Sequence, residues 1–567
     1  MEKIKNRLSF IYEDQDVEPY VSRIVAAIEE TKRKPLRKRK QLWDEEDVVL
    51  ITYGDQFREE GRPALQSLEK MVDEHLSDSF NIVHILPFYP YSSDDGFSVI
   101  DYRAVDPALG SWEDIRRLSG SVRLMFDDVC NHISAESEWF REYLKGNPAY
   151  REFFIEMDPS VDLSAVTRPR AHPLLTAFTT ADGEEKHIWT TFSSDQIDLN
   201  FGNPEVLVRM AELLLFYIEQ GAEFIRLDAV GFVWKEVGTP SIHHPKTHEI
   251  VKLFRDIADE ASPGTVLITE TNVPHEDNIS YFGNGHDEAH MVYQFPLPPL
   301  VLYSIHNGNG SALTKWAKGL PDTGGETAFY NFLASHDGIG LNPIRGIVPE
   351  NEITDLVGSL QEEGALVSYK RTEDGREIPY EINVTYFDAL SRKQEGDEAR
   401  IAKFLLAHSI LLTLPGVPAV YVQSILGSGN DYAGVEATGS NRSINRQKFD
   451  YDRLESELLA DGSVRNRIFT GLKKIIGIRK NEPLFHPNNR MEVEDFGESV
   501  FAYSRIDKSG SRLLVLNNLT GRKVNAGVSG SFLDVVTGEK VEAPGGLDLV
   551  PYGFRWLKPI KKGEELR

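Results

Sequence analysis

Eight short apolar runs, each followed by a stretch with helical periodicity, constrain the fold of this chain more than any other feature. They occupy residues 48–53, 82–86, 122–126, 224–227, 266–269, 291–293, 329–334 and 419–422. Runs this short and uniformly apolar suit parallel strands buried on both faces. Their alternation with helical patterns describes βα units, and eight such units close into an α/β fold of the (β/α)8 TIM-barrel type.

The spacing of the runs divides the chain. Residues 1–44 read as an amphipathic helical extension. The barrel then occupies 45–132, 198–337 and 399–488, interrupted twice. The gap between the third and fourth runs is too long for one crossover helix, so 133–197 is expected to form a subdomain over the C-terminal mouth. A second insertion, 338–398, is polar and contains Gly364, Lys370, Asp374, Gly375 and Pro379, which suggests turns and mobile loops. From 489 to 567 short alternating segments separated by turns predict an antiparallel β domain.

Composition excludes several roles. A net charge of −26 disfavours nucleic acid as a partner, because phosphate backbones are bound by basic surfaces. The basic run at 32–40, KRKPLRKRK, runs against that balance and reads as a solvated helix end or linker. No stretch approaches the ~18 apolar residues of a membrane span. The N-terminus lacks the apolar core of an export signal, so a cytoplasmic location is expected. The single cysteine, Cys130, excludes an internal disulfide and a thiolate zinc cluster. Composition carries no sign of oligomeric state.

Polar residues stand where four of the apolar runs stop, the face on which such barrels carry active sites. The third run ends in FDDVCNH, with Asp127, Asn131 and His132. The fourth ends in IRLDAV, where Arg226 and Asp228 share one side of the strand. The fifth ends in ITETN with Glu270, and the seventh leads into ASHDGIG with His336 and Asp337. Two carboxylates on adjacent strands can share a double displacement at a sugar, one attacking and one protonating the leaving oxygen. Arg226 would keep Asp228 ionised, whereas Glu270 needs a raised pKa to act as the acid. Each element alone has a plainer reading, a helix cap or a satisfied structural histidine. Their joint order on the right strands favours catalysis.

These four segments resemble the four sequence regions of glycoside hydrolase family 13, the α-amylase family, over essentially the whole chain after the N-terminal extension. The resemblance implies Asp228 as nucleophile, Glu270 as general acid/base and Asp337 as transition-state stabiliser. HILPFYPYSSDDGFSVIDY and SNRSINR look like the sucrose-phosphorylase branch. By that likeness Asp95 and Phe97 supply a sugar-binding carboxylate and an aromatic platform, and Arg442 pairs with Asp95 to close the far end of a one-glucose pocket. His132, Phe192, Gln196, Arg226 and His336 are the other expected sugar contacts. TRPRAHP places Arg170 on a loop that helps receive phosphate, and PYEINVTY places Tyr380 and Glu381 opposite it.

The acceptor side departs from the sucrose enzymes. GFVWKE puts bulky Phe232 and Trp234 after the nucleophile, and Ile378 and Glu381 stand where that branch carries Asp and Gln. Several segments look most like the glucosylglycerate phosphorylases of the branch. This likeness implies reversible transfer of an α-glucosyl unit from glucosylglycerate to inorganic phosphate, which is a co-substrate; no cofactor is expected. Sucrose, sucrose 6′-phosphate and glucosylglycerol phosphorylases are alternatives with the same catalytic groups, and a plain α-glucoside hydrolase is a further one. Glycerate is anionic, so Lys235, Arg170 or the His243–His244 pair are candidates for its carboxylate. HHPKTHE offers too few converging ligands for zinc and reads as a loop entering a helix, so no metal site is expected.

Overall fold

The computed structural model describes residues 1–13, 15–37, 41–170, 172–371 and 376–560, with the side chain of Arg371 left aside. Asp14, Lys38 to Lys40, Ala171, residues 372–375 (among them Asp374 and Gly375) and residues 561–567 lie outside it.

The eight apolar runs are the eight strands of a closed parallel barrel: β1 (Val49–Thr52), β2 (Ile82–Ile85), β3 (Arg123–Asp128), β4 (Ala222–Leu227), β5 (Val266–Thr269), β6 (Met291–Tyr293), β7 (Ala328–Phe332) and β8 (Val417–Tyr421). Each pairs with its sequence neighbour, and β8 returns to β1 through Val49↔Ala419. The register Leu227↔Thr269 between β4 and β5 is the pairing that matters for chemistry. It sets Asp228 and Glu270 side by side as the next residues out of the barrel.

The chain between β3 and β4 forms a small lobe over the mouth. Its base is an antiparallel pair, His132–Ser134 with Gln196–Asp198, and a hairpin of Leu175–Thr179 with Glu185–Trp189 covers a small core of Val166, Leu174 and Trp189. The second insertion is more ordered than its polar composition suggests. Helix Glu350–Glu363 packs on a three-stranded sheet of Ile339–Gly340, Leu366–Arg371 and Glu377–Asn383. Gly364 caps that helix in a left-handed conformation, so a residue read as a loop marker is a helix stop. Lys370 bonds Asn342 from within a strand.

A six-stranded antiparallel sheet begins at Arg490 and is tied to the barrel helix Asp397–Thr413. Trp556 Nε1 donates to Ser409 Oγ (2.9 Å), and the buried Arg505 donates to the Thr413 carbonyl. At the other end, helices α1 (Glu2–Tyr12) and α2 (Glu18–Thr31) lie against α3 (Pro204–Glu219) and α4 (Pro245–Ala261). Ile4, Leu8, Ile11, Val21, Ile24 and Ile28 recur at helical spacing and are all buried. The described part of the basic run is neutralised locally: Lys32 pairs with Glu29 and Glu260, and Arg37 with Glu223. No helix among the described residues is long and apolar enough to cross a membrane.

Because Ile24 is fully buried between α2 and the barrel helices, Ile24→Ala should cost about 2–5 kcal/mol of stability. The shift of the urea midpoint measures this.

Candidate active site

One deep pocket opens at the C-terminal mouth, enclosing about 1270 Å³ with its open entrance. At its floor the Arg226 guanidinium gathers the acids. Its Nη1 lies 2.5 Å from Asp127 Oδ1 and 2.7 Å from Asp228 Oδ1, and its Nη2 is 3.9 Å from Glu270 Oε2. Behind it His84 Nε2 holds the other Asp127 oxygen at 2.7 Å, and the Arg226 group sits over the Phe97 and Tyr293 rings. The Ala229 amide donates to Glu270 Oε2 at 3.1 Å, from a residue with φ of 50°.

These surroundings separate the acids. Burial pushes the Glu270 carboxyl up to about 7; Arg226 opposes this, and the Asp228 and Asp337 charges add to it. Burial also pushes Asp228 up, with Arg226 the main restraint. Arg226 therefore limits the rise at Asp228 rather than lowering its pKa outright. Asp337 is held well below the carboxylate range: burial raises it, but Arg442, His336 and Arg446 prevail. Asp128, behind the nucleophile, has no partner for either oxygen among the described residues, and burial beside Asp127 and Asp228 lifts it to about 8. It is neutral near pH 7 and adds no charge behind Asp228.

The expected sugar contacts converge. Phe97, His132, Phe192, Gln196, Arg226 and His336 all line the pocket. His132 Nε2 and Gln196 Nε2 both face the Phe97 carbonyl, at 2.9 and 3.2 Å. The Phe97 and His336 rings stack at 4.6 Å, and Phe192 packs edge-on against Phe232. His336 is driven down to about 3 by burial, so it is a neutral hydrogen-bonding group.

The closed end differs from expectation in its partners. Asp95 does not meet Arg442; it turns away to Arg446 Nη1 at 2.5 Å. The pocket carboxylate is its neighbour Asp94, 3.9 Å from Arg442. Both aspartates adopt left-handed backbone, φ 52° and 47°; Asp95 pairs closely with Arg446, while Asp94 lies between Arg446 (3.8 Å) and Arg442 (3.9 Å). Gly96 completes the turn at φ +110°, where a Cβ would lie 2.5 Å from the Pro87 carbonyl oxygen. Arg442 itself bridges Asp337 Oδ1 (2.6 Å) and both Glu381 oxygens (3.0 and 2.8 Å). Glu381 therefore lines the pocket as the anchor of Arg442, and its charge is also felt by Arg170 at the acceptor side. Sequence reading passed over Arg446 as well, although it ends the same SNRSINR segment.

Lys235 also leaves the list of anion receivers. It is buried against Asp198 (2.8 Å) and Asn131 (2.7 Å), beneath the inserted lobe and outside the pocket. His244 caps α4 and faces Glu236. What remains at the entrance is Arg170, which lines the pocket, lies 5.5 Å from the Tyr380 ring centre and makes no ion pair with any described residue. The metal-like run resolves into separate pairs, His248 with Glu288 and His244 with Glu236.

Comparison with known proteins agrees with this geometry. The α-amylase catalytic-domain model matches residues 79–337. A glucosylglycerate phosphorylase of Escherichia coli (strain K12) is 50% identical over 98% of this chain and 100% of its own length. A sucrose phosphorylase of Streptococcus mutans is 31% identical over 82% of this chain and 94% of its own. The crystal structure of sucrose 6F-phosphate phosphorylase from Thermoanaerobacter thermosaccharolyticum superposes with a TM-score of 0.74 at 26% identity, over 88% of this chain and 98% of that one. The chain belongs to the α-amylase family, in the branch that holds the sucrose phosphorylases and their glucosylglycerate-acting relatives.

Proposed function

We propose that this protein is a retaining glycoside phosphorylase that transfers the α-glucosyl unit of glucosylglycerate to inorganic phosphate, reversibly. The observation that carries the reading is Arg170, which lines the pocket against the Tyr380 ring and, unlike Arg226 and Arg442, makes no close ion pair with a carboxylate among the described residues. A chain of net charge −26 repels anions overall, so an anionic co-substrate needs such a local cation. The relative that matches this chain end to end acts, by its name, on glucosylglycerate.

The residues divide the work as follows. Asp94, Arg442 and His336 close the far end around one glucosyl ring. Glu270, protonated because burial lifts its pKa, gives its proton to the glycosidic oxygen as Asp228 attacks C1. Glycerate departs with that proton, leaving a β-glucosyl ester on Asp228. Phosphate, held by Arg170, then attacks C1 from the vacated face, while the Glu270 carboxylate takes up a proton. α-Glucose 1-phosphate leaves and free Asp228 is restored, so two inversions give retention. Phosphate must outcompete water, which favours a fixed cation near C1 over mere exclusion of solvent. A cytoplasmic site, where phosphate is abundant, suits this chemistry.

Incubation with α-glucose 1-phosphate and D-glycerate should release one phosphate per glucoside formed. Free glucose in place of glucoside would mark a hydrolase, and Asp228→Asn should abolish both products. The basic limb of kcat/KM for glucosylglycerate should lie near 7: Glu270 is active protonated, and its proton is lost as pH rises through that value. A profile flat through neutrality would remove Glu270 as the acid. Arg170→Ala should lower kcat/KM for phosphate and for D-glycerate alike, each by about 100-fold, in initial-rate assays of the two directions.

A further inference from the structure

His243 is the one residue of the metal-like HHPKTHE run that enters the pocket wall, and neither the catalytic cycle nor the closed end uses it. It sits in a left-handed conformation, φ 52°, two residues after Ser241 at φ 49°. Non-glycine residues hold that conformation only where the surroundings enforce it. Here they do. The His243 amide donates to the Gly231 carbonyl at 3.0 Å, and Nδ1 meets the Tyr281 hydroxyl at 2.9 Å. Gly231 leaves room for the ring: a Cβ there would lie 3.4 Å from His243 Cε1. Ser241 is laced to Glu236 and Thr239. The same loop offers the Pro240 carbonyl to the Thr167 amide at 2.9 Å, three residues before Arg170. The strained loop and the Arg170 loop thus form one connected wall on the side where the acceptor enters.

Within that wall His243 Nε2 is buried and has no hydrogen-bond partner among the described residues. Buried polar nitrogens are almost always paired, so an orphan in a binding wall marks a place for the ligand. Burial lowers the imidazole to about 4, so at neutral pH it carries no charge. Its ring can exchange a hydrogen bond with a hydroxyl, whereas the carboxylate is left to Arg170. We propose, resting on the phosphorylase reading above, that His243 is a specificity-determining residue that hydrogen-bonds a hydroxyl of the small hydroxy-acid acceptor beside the Arg170-bound carboxylate. Phosphate, compact and held by charge, depends on His243 less.

Two substitutions fit the left-handed backbone. Gly accepts φ of 52° freely, and Asn is among the residues most tolerant of it. His243→Gly therefore removes the ring without adding strain, and His243→Asn restores a donor and an acceptor. With His243→Gly, kcat/KM for D-glycerate should fall about 10-fold or more. Exchange of labelled phosphate into α-glucose 1-phosphate, which needs no glycerate, should fall several-fold less, and His243→Asn should recover part of the glycerate loss. Equal losses in the two assays, or unaltered use of glycerate by His243→Gly, would overturn the proposal. Wild-type enzyme that exchanges phosphate but ignores D-glycerate would instead overturn the acceptor assigned above, a result visible before any variant is made.

Discussion

The guanidinium of Arg226 is the interaction on which the rest of the site depends. Asp127, Asp228 and Glu270 converge at the barrel mouth, where burial disfavours their charged forms. Without a shared cation, ionised carboxylates could not be kept this close and this dry. Arg226 is fixed by β4, braced by Asp127 and through it by His84, and covered by the Phe97 and Tyr293 rings. Its contact is short to Asp228 and long to Glu270, 2.7 against 3.9 Å. That asymmetry separates two otherwise similar acids: one can attack as a carboxylate while the other still holds a proton.

The far end of the pocket repeats the device with different parts. Arg442 takes Asp337 and Glu381, while Arg446 takes Asp95 and donates to the His336 carbonyl. Each arginine is held closely by one acid, Glu381 or Asp95, while Asp94 and Asp337 line the pocket beside them. The anchors also close the cavity. Arg442 lies at that end with three carboxylates around it, Asp94, Asp337 and Glu381.

The barrel, and the gathering of Asp228, Glu270 and Asp337 at its mouth, were legible from the sequence because both rest on local signals. A buried parallel strand must be apolar throughout, and a side chain at its tip must reach the mouth. Partner choice was less legible, since it depends on turn geometry. In SSDDGF either aspartate can face the sugar, and only the left-handed turn at 94–96 decides for Asp94. Lys235 looked available because it follows the nucleophile strand, but the pairing of His132–Ser134 with Gln196–Asp198 brings Asp198 over it. Glu381 was placed on the acceptor side by likeness alone, and the polar insertion that carries it folds as a sheet against Arg442. Each of these depends on contacts between residues dozens to hundreds apart, which spacing along the chain does not encode.

The unequal charge of the two ends bears on reversibility. The glucosyl end is crowded with acids and their arginines, whereas the acceptor end has Arg170 as its cation among the described residues of the wall. If Arg170 receives both phosphate and the glycerate carboxylate, as proposed, the two acceptors compete for one position on the glucosyl enzyme. The partition of the glucosyl enzyme between the two anions then follows their relative concentrations and affinities at that position, while the net direction is set by the equilibrium of the overall reaction. A neutral neighbour such as His243 can tilt the choice between them without altering the charge that attracts both.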